Sequence, residues 1–219
     1  MNPTHIYHLI YKDILLEWRQ KYAFNGIILY VFSTLFIISI SFVKVQPDAW
    51  ITLFWIVILF ASVNAGAKSF IQEGKSKQLY YYAIASPENI LISKFLYNCL
   101  LLTLLSFINL FGFVVLFGNV IGNMSFFMLV LLLGSIGFAA TFTMISGIAS
   151  KAKGSATLMT VLSFPVILPQ LLLLIKLSRR AADGFSMFEV GQKELLSLTA
   201  INLIIIIVSY LLFPYLWRE

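Results

Sequence analysis

Gly74-Lys75-Ser76, inside the stretch SFIQEGKSKQLYYYAIASPENILISK at 69–94, has the residue types that close a phosphate-binding loop. In such a loop a first glycine stands five residues before the second, so that consecutive backbone N–H groups curl round the phosphates. Here that position is Ser69. The setting fails as well, because the loop should leave a buried strand, whereas WITLFWIVILFASVNAGAK at 50–68 reads as membrane-length apolar sequence. The triplet is fortuitous, and the question turns from binding a nucleotide to contacting a protein that does.

Other chemistry-bearing residues are sparse. His5 and His8, at i and i+3, have a spacing that could ligate a metal or haem, but on a membrane-surface helix they read as interfacial side chains. Cys99, the only cysteine, reads as a small apolar-tolerant residue, and no disulfide framework exists. There is no nucleophile and base pair, no carboxylate pair and no His/Cys metal cluster, so the chain reads as no enzyme and as binding no cofactor of its own.

Those residues hang on elements made almost entirely of apolar sequence. Of 219 residues 60% are hydrophobic and 11% charged, against about a quarter charged in soluble domains. The chain reads as one all-α polytopic membrane domain over 1–219. Between Lys94 and Lys151 no acid or base occurs, a gap too long for one span of about 20 residues, and GNVIGN at 118–123 divides it. Six helical spans follow, at about 23–43, 50–67, 95–117, 124–149, 155–177 and 195–217. None has an ionisable residue in its interior, which argues against ion-coupled transport and proton pumping.

Before the first span, HIYHLIYKDILLEWRQKY sets Tyr7, Tyr11, Ile14, Leu15, Trp18 and Tyr22 along one helical face and Lys12, Asp13 and Arg19 mostly elsewhere. Residues 1–22 are therefore an amphipathic interfacial helix; Asp13, Glu17 and Arg19 exclude a cleavable signal. With the N-terminus inside, the inner pieces hold Lys12, Arg19, Lys21, Lys68, Lys75, Lys77, Lys94, Lys151, Lys153 and Arg218. The outer pieces hold Lys44, Lys176, Arg179, Arg180 and Lys193, and ten against five puts both termini in the cytoplasm. The net charge of +6 needs no nucleic acid, since lysines beside anionic lipid of the bilayer account for it.

Within the spans, Gly134, Ser135, Gly137, Ala139, Ala140, Ser146 and Gly147 make the fourth a close-packing helix. Pro165 and Pro169, four apart in the fifth, each remove a helix donor, so that helix should bend or unwind as a packing kink or as part of a gate. Between spans two and three, Pro87 suits the first turn of a new helix and Ser86 its cap. Residues 69–94 then form a helix, a sharp break and a second helix, an elbow outside the bilayer that can pass a partner's movement to two spans.

These residues resemble a family: CcmB, haem exporter protein B, the permease subunit of the cytochrome c maturation ABC transporter. The resemblance covers nearly the whole chain, through KDILLEWR near the N-terminus and a first loop with Phe70, Glu73, Gly74, Leu79, Ser86, Pro87 and Lys94 in register. A proline-bearing fifth span, FPVILPQ, completes it. The family's loop is more acidic and leucine-rich where this chain has KSKQLYYYAIA.

The resemblance implies a small ABC-2-type permease in the bacterial inner membrane, whose loop residues Phe70, Glu73, Gly74, Leu79, Ser86, Pro87 and Lys94 dock on a separate ABC ATPase that holds the ATP. Its implied partners are a haem-handling membrane protein and a periplasmic haem chaperone, with haem export or release of the loaded chaperone as the outcome. Two other readings stand beside it: a permease for another lipid-like or amphipathic substrate, and a non-transporting membrane scaffold.

Overall fold

A computed structural model describes residues 3–19, 21–42, 44–70, 86–151, 155–186 and 191–217. Among them the chain forms seven helices and no strand: α1 Pro3–Arg19, α2 Lys21–Ser41, α3 Pro47–Ser69, α4 Pro87–Phe117, α5 Met124–Ser150, α6 Ser155–Ala182 and α7 Gln192–Trp217. Helix is what apolar segments must form where no water can satisfy the backbone. Five of them, α3 to α7, are long and apolar enough to cross a membrane. α2, 21 residues long, lies over most of the expected first span, and its described apolar stretch is Asn25–Ser41.

α5 is the hub, packed on α3, α4, α6 and α7. Its small residues allow this. A Cβ on Gly134 would come within 2.6 Å of the Trp55 ring, and one on Gly137 would collide with the Asn202 amide. Around the hub, Trp50, Phe54, Phe113 and Phe127 form a buried aromatic cluster, with ring centroids 5.0 Å apart for Trp50 and Phe113 and 5.4 Å for Phe54 and Phe127. Outward-facing positions are apolar too: Phe36, Phe111, Leu172 and Leu203 are all exposed, as a bilayer-facing surface requires.

At one end of the bundle the chain turns tightly. Gly118, at φ +80°, ends α4, and the Asn123 side chain caps α5 by accepting from the Phe126 N–H at 3.1 Å. The Gly122 and Asn123 N–H groups donate to the Ala182 and Ala181 carbonyls at 3.1 and 2.8 Å, so the turn is bolted to the end of α6. Both α6 and α7 run further at this end than the apolar pattern predicts, which places Arg179, Arg180 and Glu194 on helices. There Arg180 grips Glu194 through two hydrogen bonds of 2.7 and 2.8 Å, Lys176 reaches the same carboxylate at 2.8 Å, and Arg179 pairs with Asp48 at 2.9 Å.

α1 packs across α4 and α2. The face assigned to lipid, carrying Tyr7, Tyr11, Ile14 and Leu15, does point away from the bundle, while Leu9 and Asp13 turn inward.

Candidate functional site

The predicted elbow begins at the end of α3. Phe70, just past that helix, is 1% exposed, and its N–H donates to the Ser146 hydroxyl of α5 at 3.2 Å. Its ring lies 5.4 Å from that of Phe213 on α7 and packs with Ile90 and Leu91 of α4 and Leu9 of α1. Gly147 makes room, since a Cβ there would approach the Phe213 ring to 2.9 Å. Beside it, the Asn98 amide donates to the Thr143 hydroxyl at 2.7 Å and the Ser69 hydroxyl at 3.3 Å, tying α4 to α5 and α3.

The described residues after 71–85 return to the same knot. Pro87 occupies the first turn of α4, as its fixed φ favours. Ser86 holds the N-cap position with extended backbone but makes no capping bond through its side chain. The Asn89 N–H that such a cap would satisfy donates instead to the Ser86 carbonyl at 3.1 Å. Two turns on, the Lys94 ammonium lies 3.3 Å from Asp13 of α1 and 6.0 Å from the Phe70 ring centroid. Lys12 reaches the same carboxylate at 3.0 Å. Asp13 and Lys94 are each 6% exposed, so this ion pair is buried.

Of the residues that the resemblance assigns to coupling, the structure therefore brings together Phe70 and Lys94, with Pro87 and Ser86 on the adjoining turn. Both Phe70 and Lys94 face inward, on either side of residues 71–85 in the sequence. Glu73, Gly74 and Leu79 lie outside the described residues, as do Lys75 and Ser76. His5 and His8 are exposed on α1, and among the described residues no group of three or more His, Cys, Asp or Glu could hold a metal.

Pro165 and Pro169 belong to a different place, roughly 15 to 21 Å along α6 from its start at Ser155. Of the two expectations, a bend or an unwinding, the second is not seen: α6 runs as one helix through both prolines. Next to them the fully buried Gln170 accepts from the Thr141 hydroxyl at 3.2 Å and donates to the Asn202 amide oxygen at 3.3 Å. Asn202 in turn donates to the Leu133 carbonyl at 2.9 Å, and α5, α6 and α7 are joined by one chain of neutral polar groups. Elsewhere Asn109 donates to the Phe54 carbonyl at 3.3 Å and the Trp55 indole to Ser178 at 2.8 Å.

The sequence reading missed Asp13, Gln170 and Asn202 as connecting residues. Their signal was present: an acid facing away from an apolar stripe, and carboxamides inside membrane-length apolar runs.

An apolar exterior, an interior tied by amides and hydroxyls, and charges gathered at the helix ends define a multi-pass α-helical membrane protein. The sequence profile described as CcmB protein matches residues 4–214, and the chain belongs to that family, the permeases of the haem-export ABC transporter of cytochrome c biogenesis. No curated protein matches it at a significant level.

Proposed function

We propose that this chain is the membrane-spanning subunit that couples ATP hydrolysis on a separate ABC ATPase to haem export, or to release of a haem-loaded chaperone, in cytochrome c maturation. Haem is its substrate or its partner's cargo, and a haem-handling membrane protein and a periplasmic chaperone complete the assembly. Residues 69–94 are the coupling element, with Glu73, Gly74 and Leu79 on its outer part. The observation that carries this reading is the buried knot at both ends of residues 71–85: a load on that segment falls at once on α3 and α4 through Phe70, Pro87 and Lys94. Family membership supplies the rest.

In this reading α2 completes a set of six spans in the bacterial inner membrane, and both termini are cytoplasmic, following the bias of lysines and arginines. Cysteine labelling in a Cys99-free background checks the orientation. Position 151 should be shielded from a periplasmic reagent and position 183 open to it; the reverse pattern inverts the map.

The coupling element is tested by copurification. Glu73→Lys reverses a charge at the contact and Pro87→Leu softens the elbow, so each should reduce the ATPase recovered with this chain and lower c-type cytochrome levels by about tenfold. The isolated chain should bind no ATP, with Lys75 or with alanine in its place. Wild-type complex yield and cytochrome levels in both loop variants would reduce residues 69–94 to a surface loop.

A further inference from the structure

Asp13 and Lys94 are 81 residues apart in sequence and meet where the 71–85 segment rejoins the bundle. The Lys94 ammonium stands 3.3 Å from both carboxylate oxygens, and on its other side faces the ring of Phe70. One cation thus touches α1, the end of α3 and, through its own backbone, the start of α4. A buried ion pair adds little net stability over an apolar pair of equal volume, because desolvation offsets the attraction. Its better-attested use is fixing register between elements. An amphipathic helix that only had to lie on a membrane would need no buried acid on its inner side; its apolar face already holds it there.

We propose that Asp13 is a positioning residue for energy coupling, latching α1 to the base of the loop so that a force on residues 71–85 moves α1 together with α3 and α4. α2 starts two residues after α1 ends, so the displacement passes on to the helix that borders α3 and α4 from outside. The inference rests on residues 69–94 being the coupling element, and adds α1 as a second arm of the same device.

The test uses the assembled complex with Asp13→Asn. Lys94 has a long flexible stem that can carry its charge toward water once its partner is neutral, so this variant should insert and accumulate normally. Copurifying ATPase and its ATP hydrolysis should persist, while mature c-type cytochrome per inserted molecule falls about fivefold or more. Exchanging the charges, Asp13→Lys with Lys94→Asp, should recover most of that loss. Unchanged cytochrome per inserted molecule overturns the latch. So does a loss that only tracks the amount of chain, which marks a static anchor, and so does an exchange that restores the amount of chain without restoring maturation. If the exchanged protein does not accumulate, Asp13→Glu decides: it keeps the charge and should mature cytochrome close to wild type, and a loss equal to that of Asp13→Asn overturns the proposal. When Glu73→Lys and Pro87→Leu weaken ATPase recovery but Asp13→Asn is silent, the latch falls alone. When all three are silent, the coupling reading falls with it.

Discussion

At one end of the bundle an ion pair is buried, and at the other an ion pair is exposed. Asp13 and Lys94 are shut in among Phe70, Leu9 and their neighbours, whereas Arg179 and Asp48 show 51% and 73% of their side chains to the surroundings. The exposed end does not depend on those pairs for its shape, because the Gly118–Asn123 turn is fixed by backbone bonds to Ala181 and Ala182. The buried end is closed by side chains from α1, α3, α4, α5 and α7 packing into one knot. Backbone bonds in a tight turn allow one arrangement, while interdigitated side chains can repack into a second, which is how small shifts become discrete movements. On the proposed function, the end that carries residues 71–85 is the one that transmits, and the short-turn end is the one that holds.

The comparison is broken most directly at Lys94. Lys94→Met removes the cation and leaves the Asp13 carboxylate buried with Lys12 as its remaining partner among the described residues, and loss of one partner of a buried pair costs about 3–5 kcal/mol. Thermal unfolding of the purified chain in detergent should show a loss of about 3 kcal/mol, at the low end because Lys12 remains. Adding Asp13→Asn to the same chain should return much of it, since no charge is then stranded. A loss under about 1 kcal/mol would mean that the pair is as solvated as those at the opposite end.

A smaller effect belongs to the middle of the bundle, between the two ends. Gln170→Leu cuts the links from α6 to Thr141 and Asn202, and hydrogen bonds between membrane helices are worth about 0.6–1.7 kcal/mol each. The expected loss is about 1–2 kcal/mol in the same unfolding measurement, with insertion intact. Replacing Pro165 and Pro169 together by alanine should stay within that range and slow cytochrome maturation if the prolines form a gate. Normal maturation at normal expression would leave them as a packing kink.

How much of this was legible depended on whether a residue acts through its own backbone or through a distant partner. Pro87 was readable at a helix start because its φ is fixed, and GNVIGN was readable as a turn because glycine and asparagine admit what a turn requires. The small residues of α5 announced a close-packed helix, which it is. Ser86 was readable as the cap position but not as an unused cap, since the choice between side chain and backbone for the Asn89 N–H is made by local geometry. Helical periodicity put Asp13 opposite the apolar stripe of α1 correctly, yet could not say that α4 and Lys94 would stand there.

The smallest effect should come from the exposed end, and it sharpens the comparison because it is nearly null. Arg179→Ala removes an ion pair with Asp48 of good geometry, 2.9 Å from Nε to the carboxylate, but between side chains more than half exposed. In such a setting water and salt screen the attraction, and holding two long side chains in one arrangement costs entropy that offsets most of it. The expected change is about 0–1 kcal/mol, shrinking further in high salt, with maturation untouched. Arg180 differs, because both of its terminal nitrogens, Nη1 and Nη2, meet Glu194 and its side chain is only 21% exposed, so Arg180→Ala should cost more than Arg179→Ala in the same assay. If Arg179→Ala matched the loss from Lys94→Met, burial would not be what separates the two ends, and the assignment of transmission to the Phe70 knot would lose its electrostatic ground.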